Sequence, residues 1–224
     1  MTKRKNSEAA AGLPVDTYKH LQAAFDHFNA ALFGGELPPA MLTINTSKRN
    51  CHGYAWQDRF EHVETGAKVS EISMNPDSFA RGLREAMGTF VHEMAHHWEH
   101  TCSRETVSRG GYHNKTWANK MESVGLMPSD NGQPGGKRTG QSVTHYIISD
   151  GPFAAAFDAM PASIKLDWHG ISQATPTRKR PKANKIKYQC SECGANAWGK
   201  LGLGLACVGE EGAEHSPVLM QAAE

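Results

Sequence analysis

His92-Glu93-Met94-Ala95-His96 is the stretch of sequence that decides how this chain is interpreted. Two histidines four residues apart lie on the same face of a helix, so both imidazoles can reach one metal ion. Glu93 between them can act as a general base on a water that the metal activates. The pattern H-E-x-x-H is typical of zinc-dependent hydrolases, but it is short enough to arise by chance. The surrounding sequence therefore has to support it.

The residues around this motif predict an amphipathic helix. At helical spacing, His92 and His96 project almost opposite an apolar stripe, so one face can pack into a core while the other offers ligands to a cleft. The Asn75-Pro76 pair predicts the start of this helix, with Asn as N-cap. We expect His97 to pack or hydrogen-bond at the edge of the stripe and His100 to remain outside the ligand set. The stripe consists of Leu83, Met87, Phe90, Val91, Met94 and Trp98.

A catalytic zinc site needs a third protein ligand, and the sequence offers two candidates. The metzincin spacing fails, because Glu99 and Cys102 stand where that pattern has glycine and histidine. Glu122 and His113 remain. His113 lies just before a helical run for which Asn114 is the predicted N-cap. A solvated loop histidine is the alternative interpretation of His113.

Cysteines near the C-terminus predict a second metal site. Cys190 and Cys193 form a C-x-x-C-G knuckle in which two thiolates can share one zinc ion, and Cys207 follows after a hairpin-like stretch. His215 is favoured over Glu210 as the fourth ligand, because imidazole is the better zinc ligand by type. A three-ligand, weakened or lost site is the alternative. Four ligands leave no position open for water, so this zinc is expected to be structural.

Several further motifs accompany H-E-x-x-H in a fixed order. They are FNAALFGGELP at 28–38, GYA at 53–55, EISMN at 71–75, and the turn GYH at 111–113 followed by Trp117. With these motifs the chain resembles the SprT-like zinc metalloprotease family, which includes Spartan, over roughly residues 15 to 126. The resemblance implies that His113 is the third ligand of the catalytic zinc and that the C-terminal cysteines belong to a zinc ribbon. It also implies action on proteins bound or crosslinked to DNA.

The expected fold is α+β, with a small sheet packed with helices that carry the zinc site, plus a C-terminal zinc ribbon. We expect His145, Tyr146, Trp168 and His169 to be structural. The segment that contains them is expected to cover the cleft or to extend the core. The predicted organisation is a flexible basic tail at 1–13, a SprT-like metallopeptidase domain at 14–126, a linker and accessory segment at 127–177, a basic linker at 178–187, and a zinc ribbon-like module at 188–217.

Composition narrows the cellular setting. The formal net charge of +1 does not by itself favour nucleic acid, but a local basic run can either be a solvated linker or contact phosphates. Five cysteines suit metal binding in a reducing compartment. Without a signal peptide or a membrane-length apolar run, we expect a cytoplasmic protein with no membrane partner. The tentative nucleic-acid-binding cations are Arg178, Lys179, Arg180, Lys182, Lys185 and Lys187.

The sequence therefore predicts a zinc metallopeptidase that acts on a protein substrate, with DNA as a further partner. His92, His96 and His113 would hold the catalytic Zn2+, Glu93 would be the general base, and Tyr112 is a weak candidate for stabilising the oxyanion. A second, structural Zn2+ is expected at the cysteines. The alternative is a nucleic-acid-binding or regulatory zinc protein with little or no proteolytic activity. Oligomeric state stays open.

Overall fold

A computed structural model describes residues 13–46, 51–103, 105, 110–170, 185–210 and 213–223. The chain divides into two compact units, Met1–Ser172 and Gln173–Glu224. Helices and small sheets are both present, so the predicted α+β class is confirmed at that level. Most of the predicted N-terminal tail, residues 1–12, lies outside the described residues. Helix α1 spans Leu13–Phe33.

The first unit contains four α-helices and two small sheets among its described residues. Strand β3 is central in a three-stranded sheet, where it pairs in parallel with β1 and antiparallel with β2. Strands β4 and β5 form a separate antiparallel pair. The helices are α1 (Leu13–Phe33), α2 (Leu83–Thr101), α3 (Lys115–Ser123) and α4 (Pro152–Asp158), and the strands are β1 (Met41–Ile44), β2 (Gly53–Glu61), β3 (Lys68–Met74), β4 (Leu126–Ser129) and β5 (Thr144–Ile147).

Helix α2, which carries the H-E-x-x-H motif, lies at the centre of this unit. Every residue from 86 to 95 is buried, because the helix packs on the sheet and on α3. The predicted apolar stripe does face the core, and His92 and Glu93 are buried as well, whereas His96 is only half-buried. The predicted start at Asn75 is wrong for α2. Asn75 instead caps a short 3-10 helix, Pro76–Arg81, and α2 begins after Gly82, whose φ of 101° breaks the helical path.

The hydrophobic core joins all four helices. Phe28 of α1 stacks on Phe153 of α4 with ring centroids 5.8 Å apart, and Phe90 of α2 and Trp117 of α3 are fully buried in the same cluster. Burial of aromatic and aliphatic side chains is the main favourable term in folding, so these contacts fix how α2 is held. Helix α2 is therefore packed against several other elements of the first unit.

Residues 127–177 were expected either to cover the cleft or to extend the core. The described part, 127–170, extends the core, and several of its residues, among them Asp130, Gln141 and His145, also line the cleft. Val143, Phe153 and Ile164 are all members of the core cluster. Strand β5 and helix α4 therefore belong to the first unit, which continues to Ser172. Within this segment β5 spans Thr144–Ile147 and α4 spans Pro152–Asp158.

The second unit is built from strands in its described part. Strands β10, β6 and β7 form one antiparallel sheet in that order, and β8 pairs with β9. Four of the six predicted DNA-contacting cations, at 178, 179, 180 and 182, lie outside the described residues. Lys185 and Lys187 lie on β6. The strands are β6 (Lys185–Gln189), β7 (Asn196–Lys200), β8 (Ala206–Glu210), β9 (Ala213–Leu219) and β10 (Gln221–Ala223).

No helix in the described ranges is both long enough and apolar enough to cross a membrane.

Candidate metal centre

The three predicted histidine ligands come together in the first unit. His92 and His96 extend from α2 and His113 from the turn before α3, and one ring nitrogen from each lies within 4.8 Å of the others. The other candidate, Glu122, is half-exposed and forms an ion pair with Arg138. The structure therefore selects His113 over Glu122 as the partner of the two helix-borne histidines.

Hydrogen bonds orient two of these rings. The Nδ1 atom of His92 lies 3.1 Å from Nδ1 of His145, and the Nδ1 atom of His113 lies 3.2 Å from the carbonyl oxygen of Gly140. In both rings Nδ1 is thus engaged, which leaves Nε2 to serve as the metal-binding nitrogen. The arrangement is the one expected of metal-ligating histidines, whose second nitrogen is usually held by a hydrogen bond.

Trp117 forms a common support for the three rings. Its indole lies nearly parallel to the His96 ring, at an interplanar angle of 15° and a centroid distance of 5.0 Å. It meets His92 and His113 edge-on at 4.9 Å and 4.3 Å. Trp117 is fully buried on α3, where Asn114 caps the helix by accepting a hydrogen bond from the Trp117 backbone N–H, as predicted. The turn that carries His113 is therefore tied to a rigid helix start.

The surroundings keep the three imidazoles neutral. Burial lowers the pKa of His92 well below its usual range, and the other nearby histidines lower it further. Burial is also the largest cause that lowers the pKa of His96 to about 3, and it lowers the pKa of His113. A neutral imidazole offers the lone pair that a metal needs, so the site favours the form that can bind one.

Glu93 is buried beside the histidines and is held by strand β2. Burial raises the pKa of its carboxyl to about 8, although a hydrogen bond donated by the Ala55 backbone N–H opposes that rise. Gly53 makes room for the side chain, because a Cβ at that position would lie 3.1 Å from Cγ and 3.2 Å from Oε1 of Glu93. The strand thus packs the carboxylate closely against the site.

A cleft of about 1360 Å³ opens over these residues. The histidine cluster and Glu93 line it, as do exposed Tyr112 and exposed Trp56 of strand β2. The cluster is therefore accessible from the cleft side. A cleft of this size can hold a peptide segment and water. Tyr112 lines the cleft as an oxyanion donor must, but its role stays a prediction.

The other histidines separate into supporting roles. His97 is outside the metal-binding cluster. Its Nε2 donates to the Pro38 carbonyl oxygen at 2.9 Å, which confirms the hydrogen-bonding role predicted for it. His100 faces Asp58 at 3.5 Å and is outside the metal-binding cluster. His145 was expected to be structural only, yet its ring contacts His92. Local sequence contained no signal for that contact, because the two residues are 53 positions apart.

The second unit holds a cluster of different composition. Cys190, Cys193, Cys207 and His215 each offer one ligand atom, all within 4.8 Å of one another. Cys190 Sγ lies 3.4 Å from His215 Nε2, and Cys193 Sγ lies 3.6 Å from Cys207 Sγ. Three thiolates and an imidazole are a donor set suited to zinc. The structure thus brings together the four residues that the sequence singled out.

Fold and first site together define a class: a mixed α+β domain with a three-histidine candidate metal centre in an open cleft. The sequence model of the SprT-like family matches residues 21–145, which is more than half of the chain, and the chain belongs to this family. It is also 45% identical over 64 residues to a Salmonella typhimurium protein described as the uncharacterized protein in mucB 3'region. That match covers 28% of this chain and 85% of the relative. No solved structure shows a significant match.

Proposed function

We propose that this chain is a zinc-dependent metallopeptidase. The observation that carries the proposal is the convergence of three neutral imidazoles and a buried Glu93 on one open cleft. Three histidine nitrogens suit Zn2+ by type, and the cleft leaves room for water and for a substrate beside them. Membership of the SprT-like family supports this chemistry.

The residues divide the reaction between them. His92, His96 and His113 would hold Zn2+, which when bound polarises a carbonyl and lowers the pKa of water. Glu93 would take a proton from the attacking water and pass it to the leaving amine. Ala55 donates a hydrogen bond to Glu93, which keeps the carboxylate aimed into the cleft.

Replacing Glu93 with Gln tests the proposal. Glutamine keeps the shape and leaves the histidines in place, but it cannot accept the proton. Peptide hydrolysis should therefore fall by about 100-fold or more, while zinc content stays at the wild-type level. The readout is cleavage of an unstructured protein substrate together with metal analysis of both proteins. Equal cleavage by wild type and Glu93→Gln would rule out the assigned base.

The C-terminal cluster is proposed as a second, structural zinc site. Three cysteines and His215 would complete a four-ligand shell, and such a shell leaves no position open for substrate. The second unit, on this proposal, is a zinc ribbon-like module whose metal would hold the three-stranded sheet and the β8–β9 pair together.

We further propose that the substrate is a protein bound or crosslinked to DNA. One face of the second unit supports this proposal. Lys187 and Trp198 are opposite each other across β6 and β7, so their side chains share a face. Trp198 is 65% exposed, and the face carries further cations. Cations can contact phosphates and an exposed indole can stack on a base. The residues of this face are Lys185, Lys187, Gln189, Asn196, Trp198 and Lys200.

The same face favours the alternative function, a nucleic-acid-binding zinc protein with little proteolysis. A cleavage assay on a DNA-crosslinked protein, with and without DNA, separates the two. Trp198→Ala should weaken single-stranded DNA binding by about 1–3 kcal/mol. Trp168→Ala, which removes an exposed tryptophan of the first unit, is the matched control and should leave DNA binding unchanged. DNA binding without cleavage by the wild type would favour the alternative. If the cleavage rate is the same with and without DNA and is unchanged in Trp198→Ala, the proposal that the substrate is associated with DNA is wrong.

A further inference from the structure

The β4–β5 hairpin reaches behind the metal centre and contacts two of its three histidines. Gly140, in the loop of this hairpin, exchanges two backbone hydrogen bonds with His113, and its carbonyl oxygen also faces the His113 ring. His145, on β5, faces the ring of His92. These contacts span 27 and 53 residues of sequence, so the hairpin belongs to the site although it contributes none of its three candidate ligands.

The position of the protons follows from these contacts. His92 can bind a metal through Nε2 only if that atom keeps its lone pair, which places the proton of the neutral ring on Nδ1. Nδ1 of His92 then donates, and Nδ1 of His145 must accept. His145 therefore carries its own proton on Nε2. By the same reasoning His113 donates from Nδ1 to the Gly140 carbonyl oxygen, which can only accept.

A glycine inside helix α2 gives independent support for a fixed place for His145. Gly88 is buried in the helix interior, where glycine is destabilising relative to alanine. A Cβ at Gly88 would lie 3.1 Å from Nε2 of His145 and close to Phe153 and Ile147. The His145 ring therefore occupies the space that a side chain at position 88 would need, and it packs closely against α2.

We infer that His145 is a positioning residue of the metal centre, which accepts a hydrogen bond from His92 and thereby sets the tautomer and orientation of that ligand. Gly140 does the same for His113 through its backbone. The inference rests on the proposed metal-dependent function. Loss of such an outer partner typically weakens metal affinity by about 10- to 100-fold, so the effect should appear in binding as well as in activity.

The experiment measures zinc affinity and stoichiometry of the full chain by competition with a chromophoric chelator. His145→Leu removes the acceptor. His145→Asn restores one, because its Oδ1 can occupy the place of Nδ1. Gly88→Ala crowds the ring without altering it. His27→Leu is the matched control, since His27 is bonded to the Ala156 carbonyl oxygen away from the site. A parallel sample of each variant is loaded with Co2+ in place of zinc. The cobalt–thiolate absorption band then reports whether the cysteine cluster still binds metal normally.

We expect His145→Leu to weaken the histidine site by about 10- to 100-fold, Gly88→Ala to weaken it less, and His145→Asn and His27→Leu to stay within a few-fold of wild type. The cobalt–thiolate band should not change. Equal affinity of wild type and His145→Leu would overturn the inference, as would equal losses for the Leu and Asn variants. If His145→Leu does not fold, Gly88→Ala decides, and unchanged affinity there overturns it. A wild type that binds zinc only at the cysteines would instead refute the proposed function.

Discussion

The two candidate metal centres of this protein are built in contrasting ways. The histidine cluster lies on a helix that is buried from residue 86 to 95, and packing of four helices holds it in place. The cysteine cluster lies among short strand pairs, where the buried apolar side chains of the described residues are those of Tyr188, Cys190 and Cys207. In the first unit the fold positions the candidate ligands. In the described part of the second unit, two of these three buried side chains are themselves candidate ligands.

The difference predicts what each metal does. A preformed site of three ligands beside a cleft can keep a position open for chemistry, whereas four ligands close the shell. Removing metal from the first unit should therefore cost activity and leave the fold. Removing it from the second should cost the fold of that unit, because metal-binding free energy there is folding free energy.

The largest expected effect is on the second unit. Cys193→Ser should unfold it, since structural zinc in small modules supplies on the order of 10 kcal/mol. Hydrogen exchange should show loss of protection in β6 and β7 and unchanged protection in α2. Cys102→Ser, a cysteine of the first unit outside both clusters, is the control. Persistent protection of β6 and β7 in Cys193→Ser would break the contrast between the units.

The next effect concerns the open site. His113→Ala should weaken zinc binding there by more than the roughly 100-fold that loss of an outer partner costs, and hydrolysis should disappear. Thermal unfolding of the first unit should change little, and the cysteine cluster should keep its metal. His100→Ala is the matched control, because His100 faces Asp58 outside the cluster. If His113→Ala retains the metal content of the wild type, His113 is not the third ligand.

Acid should destabilise the metal-free first unit by a few kcal/mol. The pKa of His96 falls from 6.5 in the unfolded chain to about 3 in the folded one, and the pKa of His92 is lowered in the same direction. The unfolded chain thus binds more protons between these values. The stability contributed by these histidines is fully present above pH 6.5 and is lost as pH falls toward 3. The raised pKa of Glu93, about 8 against 4.5, acts in the opposite sense between those two values, so Glu93 does not oppose the histidine slope below pH 4.5. Denaturant titrations of chelator-treated protein between pH 4.5 and 3 measure that slope; a flat profile there would contradict buried, neutral histidines.

The smallest predicted effect tests how β2 holds the general base. A Cβ at Gly53 would lie 3.1 Å from Glu93 Cγ and 3.0 Å from the Ser73 carbonyl oxygen. Gly53→Ala should displace the carboxylate and lower kcat about 10-fold, equivalent to about 1.4 kcal/mol, while zinc affinity is retained. Gly110→Ala, where a Cβ meets open space in the same cleft, is the control. An unchanged kcat in Gly53→Ala would show that the base tolerates the shift.

Local patterns predicted much of this protein. Helical spacing placed His92 and His96 on one face, and the Asn114 cap was confirmed. The same reasoning failed at Asn75, because a good N-cap followed by proline starts a 3-10 helix as readily as an α-helix, and the turn at Gly82 intervenes. Short-range signals state that a helix can begin at a position. They do not state which helix forms, since packing of the following residues decides that.

The sequence by itself determined the chemistry: two histidines and a glutamate on one helix, and three cysteines and a histidine near the C-terminus. The spacings of four residues between His92 and His96 and of three between Cys190 and Cys193 are local, so helix and turn geometry alone can bring each of these pairs together. Residue spacing left His113 and Glu122 open, and the family resemblance favoured His113; the tertiary structure brings His113 to the other two histidines. Only the tertiary structure decided that Gly140 and His145 stand behind the candidate ligands. Those choices depend on how distant segments pack around α2, and packing is a property of the whole core.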